Sequence, residues 1–214
     1  MEFQPFQKIP RLIRDCVITE KLDGTNASIY IGENGSFLTG SRTRWITPED
    51  DNYGFARWAH DHREELMLLG HGHHFGEWWG AGVQRGYGLK EKRFSLFNTH
   101  RWSDATVRPA CCHVVPVLAT GQFSSVMAEG VIETLREVGS HAAPGFMDPE
   151  GIIIFHEASK TLFKKTVKGD EEGKHQEGQV VIPKPLRQPR DPSKGGRRIE
   201  QLPFAGEDRR RKAA

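Results

Sequence analysis

Seven consecutive residues, Glu20-Lys21-Leu22-Asp23-Gly24-Thr25-Asn26, put an amine, two carboxylates and a carboxamide close together. If Lys21 ends a strand and Gly24 lets the backbone bend closely around a ligand, Asp23 and Asn26 come round to the same pocket. A lysine amine is a covalent nucleophile only after losing its proton, and desolvation or nearby positive charge lowers its pKa toward that state. Lys-x-Asp-Gly by itself is equally the composition of an ordinary exposed turn. His71, His73 and His74 are interrupted by glycine and lack cysteine ligands nearby, so they read as a surface loop and not as a zinc site. Cys16 and the adjacent Cys111 and Cys112 supply no disulfide framework, which leads to the expectation of reduced thiols in a cytoplasmic protein.

These groups need a scaffold, and the sequence suggests one of short strands. Cys16–Thr19 and Ala27–Ile31 have strand character, Asn34-Gly35 reads as a hairpin turn, and Phe37–Thr39 returns from it. Helical spacing runs from Tyr53 to Leu69 through Phe55, Trp58, Ala59, His62 and Leu66, with Gly70 as the stop. His74–Trp78, Phe94–Phe97 and His113–Leu118 read as strands, and a second helix spans Ser124 or Ser125 to Val138, ended by Gly139. Ile152–Phe155 is continuous and apolar, hence a buried strand, and Leu162-Phe163 leads into a lysine-rich turn. The expected class is α+β.

The chain has 214 residues, a formal net charge of +2 and 36% hydrophobic residues, enough for one real core. No apolar run is long enough for a membrane helix, and Met1-Glu2-Phe3-Gln4-Pro5 lacks the basic and apolar regions of a secretory signal. Residues 176–214 carry 10 Lys and Arg against 5 Asp and Glu, and five of the 12 prolines. Such a stretch buries too little to offset its ordering entropy, so it is expected to be a disordered arm or a strap. Residues 1–175 are the expected catalytic domain.

With Asn26 included, Lys21-Leu22-Asp23-Gly24 resembles the nucleotidyltransferase motif of covalent ATP-dependent polynucleotide ligases and messenger-RNA capping enzymes, on the RNA ligase side. Five further segments resemble the family's motifs in order: Ser41-Arg42; Phe75-Gly76-Glu77-Trp78; Lys92 with Phe94-Ser95-Leu96-Phe97; Glu150-Gly151-Ile152-Ile153; and Phe163-Lys164-Lys165. The resemblance implies an adenylyltransferase domain of the ATP-grasp-like ligase adenylation fold, with antiparallel sheets and flanking helices. It also implies a three-step cycle. Lys21 attacks the α-phosphorus of ATP and expels pyrophosphate, AMP passes to a 5′-phosphate end, and a 3′-hydroxyl displaces AMP to seal the strand.

The same resemblance assigns roles. Glu77 approaches the ribose hydroxyls, Arg42 the AMP phosphate or the terminal phosphate of the acceptor strand, Lys92 the triphosphate, and Phe94 stacks on adenine while Phe97 is core. Glu20 and Asn26 belong to the nucleotide pocket. Glu150 is the metal-associated carboxylate, directly or through water, and Asp23 orients Lys21 or joins the metal shell. The expected ion is Mg²⁺, with Mn²⁺ as substitute. Lys164 donates to the α-phosphate, with Lys165 as the alternative, and alternation puts the two on opposite faces. Asn98 stands where related ligases often carry an acid. The implied partner is RNA with 5′-phosphate and 3′-hydroxyl ends, handled by a monomer with or without an accessory protein. A small DNA ligase and a catalytically inactive nucleotide- or RNA-binding homologue are the alternatives.

Overall fold

Apolar residues alternating with polar ones make pleated strands with one face to bury. A computed structural model describes residues 1–169, so the expected arm at 176–214 lies outside the described residues. Along the chain run β1 (Asp15–Lys21), β2 (Thr25–Ile31), β3 (Phe37–Gly40), β4 (Trp45–Ile46), α1 (Phe55–Asp61), α2 (Arg63–Leu66), β5 (Gly72–Gly80) and β6 (Lys92–Leu96). They are followed by α3 (Thr99–Trp102), β7 (Cys112–Val114), β8 (Val117–Gln122), α4 (Ser125–Val138), β9 (Gly151–His156) and β10 (Thr161–Thr166).

Two sheets result. The first has the order β10-β9-β1-β8 and is antiparallel throughout. One of its faces buries Cys16, Ile18, Ile152 and Ile154 against Ala128, Ile132 and Leu135 of α4. Ser124 caps that helix, its hydroxyl accepting the Met127 N–H at 3.1 Å. The second sheet has the order β4-β3-β2-β5-β6-β7, and its β6–β7 pair is parallel, where antiparallel pairing was expected throughout. One of its faces packs Ile29, Trp78, Phe94 and Leu96 against Phe55, Ala59 and Leu66 of the helical segment. A third cluster of Leu22, Trp79, Tyr87, Val115 and Ala143 joins the two sheets.

Three expectations change in detail. The helix over 53–69 breaks at His62 (φ −105°, ψ 19°), whose Nδ1 lies 2.8 Å from the Trp58 carbonyl, and it ends in a 3₁₀ turn at Met67–Leu69. The strand over His113–Leu118 is two strands in different sheets. Val115 still donates to Leu96, but Pro116 has no N–H to continue the ladder, and its carbonyl accepts the Glu20 N–H in the other sheet. His73 lies in β5 instead of a loop, together with His74 of the expected strand His74–Trp78, and Lys164 and Lys165 lie in β10 instead of a turn. No helix among the described residues is long and apolar enough to cross a membrane.

Candidate active site

Lys21 is the last residue of β1 and pairs with Gly151 at the start of β9, which brings Glu150 alongside it. The Lys21 ammonium forms an ion pair with Glu150 Oε1, both side chains being mostly but not wholly buried. The chain then turns at Leu22–Gly24 and enters the second sheet. A Cβ on Gly24 would lie 2.4 Å from the Trp78 carbonyl oxygen and 2.7 Å from Trp79 Cβ, so only glycine lets this turn press against β5. Lys21 of one sheet is thereby set against a wall of the other.

That wall is Glu77, 7% exposed. Its Oε1 accepts the Gly24 N–H at 3.2 Å and its Oε2 the Asn26 side-chain amide at 2.9 Å. Burial pushes the Glu77 carboxyl up to about 7, against the pull of the Asn26 amide and the Lys21 charge, with Glu150 adding to the rise. Three residues of the first motif region, Lys21, Gly24 and Asn26, therefore converge on Glu77 and Glu150.

Arg85 and Tyr87 also build the site, and sequence reasoning did not single them out. Arg85 Nε donates to Asp23 Oδ2 at 2.7 Å, and its Nη1 reaches the Asp148 carbonyl at 2.9 Å and the Asp148 carboxylate at 3.1 Å. One guanidinium thus ties the turn after Lys21 to the residues before Glu150. The Asp23 N–H donates to the Tyr87 hydroxyl at 2.8 Å. Burial pushes that phenol up, so it stays protonated. Nothing in the glycine-rich run Gly80–Gly88 marks Arg85 as the partner of Asp23.

Several expected residues stand elsewhere. The Glu20 carboxylate points away from Lys21, as alternation along β1 requires. It is 1% exposed and accepts Ser140 Oγ at 2.5 Å and the His141 and Ala142 N–H groups at 2.9 Å each. Burial raises its pKa against those hydrogen bonds. Its side chain holds the 140–142 loop and leaves no oxygen for a nucleotide. Asp23 is engaged by Arg85, which favours an orienting role over a place in a metal shell.

Phe94, expected to stack on adenine, is fully buried on the helical face of the second sheet against Phe55 and Trp58. Phe97, expected to be core, is 41% exposed on the opposite face. The register decides this. Glu77 pairs with Ser95 and Trp78 with Phe94, so the odd-numbered residues of this stretch share the face of Glu77. For the same reason Lys92 lies on the helical face, donating to the Tyr53 carbonyl at 2.6 Å and not reaching toward a triphosphate. Asn98 accepts the Arg101 N–H at 3.1 Å as the N-cap of α3, a role that a carboxamide fills as well as an acid. Arg42 sits exposed in the turn between β3 and β4, where Ser41 N–H and Oγ both donate to the Arg44 carbonyl.

The two lysines of β10 separate as alternation demands. Lys164 pairs with Ile153, on the face of Thr19 and Lys21, whereas Lys165 pairs with Ile152 on the α4 face and meets Glu129 at 2.9 Å. Glu150 Oε2 is buried, and no hydrogen-bond partner is found for it among the described residues. A buried, unsatisfied carboxylate oxygen beside the lysine fits a hard divalent cation held with phosphate oxygens and water, which needs only one or two protein carboxylates. Among the described residues no group of three or more His, Cys, Asp or Glu forms a metal cage.

Among curated proteins none matches the chain. Its fold is similar to that of solved Naegleria gruberi RNA ligase structures. One, a variant with ATP and Mn, has 18% identity and a TM-score of 0.52 over 72% of this chain and 49% of that one. Another, with AMP and Mn, has 18% identity and a TM-score of 0.52 over 77% and 52%. A third, with pyrophosphate, has 18% identity and a TM-score of 0.50 over 75% and 52%. The chain thus spans about half the length of these relatives, and at this identity they speak for the fold alone. The sequence itself says more: the pattern of the RNA ligase family matches residues 14–197, a span that holds Lys21, Glu77, Glu150 and Lys164, and the chain belongs to that family.

Proposed function

We propose that this chain is an ATP-dependent RNA ligase whose adenylyltransferase domain, of the ATP-grasp-like kind, joins 5′-phosphate to 3′-hydroxyl ends through a lysyl-AMP intermediate. The observation that carries the reading is the pairing of Lys21 with Glu150, whose second oxygen is buried and unsatisfied. A structural ion pair has no use for such an oxygen, whereas a phosphoryl-transfer site does.

Lys21 Nζ forms a bond to the α-phosphorus of ATP as the bond from that phosphorus to the bridging oxygen breaks, and pyrophosphate leaves with the electron pair. The ammonium must first give up a proton, and the Glu150 carboxylate is the acceptor within reach. Glu77, oriented by Asn26 and Gly24, accepts from the ribose hydroxyls. Phe97, exposed on the same face, replaces Phe94 as the ring that stacks on adenine. Lys164, on the Lys21 face, donates to the α-phosphate, and Arg42 takes the phosphate of the acceptor end. Mg²⁺, or Mn²⁺ in its place, when bound at Glu150 neutralises phosphate charge and steadies the leaving pyrophosphate. Asp23 and Arg85 act indirectly, fixing the turn on which Lys21 rides.

The donor and acceptor are RNA ends, with DNA ends as the second reading because the adenylation chemistry is common to both. We assign the protein to a reducing, cytoplasmic setting, as its three free thiols suit, acting as a monomer with or without an accessory protein. The test is purified protein with α-labelled ATP, divalent cation and matched RNA or DNA ends. A label bound through Lys21 and a joined RNA product are expected, and Lys21→Ala should remove the label without changing the circular dichroism spectrum. Nucleotide binding with neither label nor pyrophosphate would make the chain an inactive homologue.

A further inference from the structure

The face of the second sheet that carries Glu77 continues past the pocket as a row of rings. Cross-strand pairs set Asn26 opposite Glu77, Ser28 opposite Phe75 and Tyr30 opposite His73, so these residues share that face. Trp45 joins them by pairing with Gly40, itself paired with Ser28. A Cβ at position 40 would lie 3.2 Å from the Trp45 ring and 2.6 Å from Ser28 Oγ, so glycine there is what lets the indole lie over the sheet. Trp45 and His73 stack with centroids 5.6 Å apart at 27°, and His73 and Phe75 follow at 4.1 Å and 32°. Tyr30 meets His73 edge-on at 6.0 Å.

These rings are not core. Trp45 is 51% exposed and Phe75 54%, whereas Phe55, Trp78 and Phe94 on the other face are at most 2% exposed. Contiguous exposed rings call for an occupant, and the two ends of the row say which. Phe75 lies two residues before Glu77, roughly 7 Å along the strand, and beside Phe97, whose N–H it accepts. At the other end Arg42 stands in the turn that delivers Trp45, a cation where a phosphate would pass. Partial desolvation against its ring neighbours lowers the pKa of the otherwise exposed His73, which favours the neutral imidazole. Aromatic faces beside a cation, running out of a nucleotide pocket, match unpaired bases on a phosphate backbone.

We infer that the Trp45–His73–Phe75 row is a stacking platform for unpaired nucleotides at the polynucleotide end, so that ends with a single-stranded run are preferred to a fully paired nick. The inference rests on the RNA ligase reading, and its test separates the two. Binding of fluorescent 5′-phosphorylated RNA is measured by anisotropy, as a single strand and as a nicked duplex, alongside formation of the AMP adduct. Trp45→Ala should weaken single-strand binding about 5- to 100-fold and change duplex binding by less than about twofold. Trp45→Phe should restore most of the loss, and both variants should form the adduct at the wild-type rate. Unchanged single-strand binding by Trp45→Ala, equal losses on both substrates, or an adduct-forming chain that binds no RNA would each overturn the inference. Unchanged single-strand binding would leave the row to a protein segment, and equal losses would make it a contact for paired and unpaired ends alike. If no adduct forms but the Trp45 effect on single strands remains, the platform stands and the ligase reading falls.

Discussion

The two sheets bring different materials to one site. The first contributes charge from its edge and ends, namely Lys21 at the end of β1, Glu150 just before β9 and Lys164 in β10. The second contributes surface, with Glu77 hydrogen-bonded in place and Phe75, Phe97 and Trp79 around it on the same face. In phosphoryl transfer the protein makes few bonds and mainly positions and stabilises charge. On the proposed function, a division between a sheet that reacts and a sheet that holds the base and sugar suits that task. It also means that an error of one residue has different consequences on each side. In the second sheet it exchanges a ring on the Glu77 face for a core ring, and in the first it moves a cation from the Lys21 face to the helix.

The sharpest way to break this comparison is at Phe94 and Phe97. Phe94→Ala removes a fully buried ring and should cost about 3–5 kcal/mol of stability. Phe97→Ala removes a half-exposed ring and should change stability by less than about 0.5 kcal/mol while weakening ATP binding about three- to tenfold. Denaturant melts and calorimetric ATP titration of both variants check this, and exchanged outcomes would put the adenine on the helical face.

That pair also shows what the sequence makes legible. Lys21 and Glu150 are found from local motifs because each sits where strand meets turn, and a strand end is fixed by its neighbours in the chain, whereas Glu77 lies inside β5 and is found only through the motif Phe75-Gly76-Glu77-Trp78. The helix Ser125–Val138 and most strands follow from periodicity. Phe94 against Phe97 could not be decided that way, since both rings are apolar and which of them faces the pocket depends on pairing with β5. Arg85 was invisible for a related reason. It acts across 62 residues on Asp23 from an irregular loop with no period to read. The split at Pro116 was legible in principle, because a residue without an N–H in mid-strand argues against a single strand.

On the first sheet the corresponding test is Lys164 against Lys165. Lys164→Ala should slow adduct formation about a hundredfold, the scale of losing one group that stabilises transition-state charge. Lys165→Ala loses a partly exposed pair with Glu129, worth at most about 1 kcal/mol, and should leave the rate unchanged. Single-turnover rates with saturating ATP discriminate the two, and a slow Lys165→Ala enzyme would reverse the assignment.

The remaining effect is a slope with pH, and it isolates the second sheet. The Glu77 carboxyl is raised from 4.5 to about 7 by burial, so between those values the folded chain holds a proton that the unfolded chain releases. Stability contributed by this group is therefore greatest at low pH and falls as pH rises through the interval, by at most about 1.4 kcal/mol per unit. Glu77→Gln cannot titrate, so urea melts at pH 5 and pH 7.5 should show the wild type losing more stability than the variant over that step. ATP affinity should move the other way. A protonated carboxyl is a poorer acceptor for ribose hydroxyls, so wild-type binding should strengthen as pH rises through about 7, a step that Glu77→Gln lacks. Because the variant retains a side-chain oxygen for the Asn26 amide, a matching slope in both proteins would mean that Glu77 is ionised throughout. The second sheet would then present the site with fixed charge, as the first does.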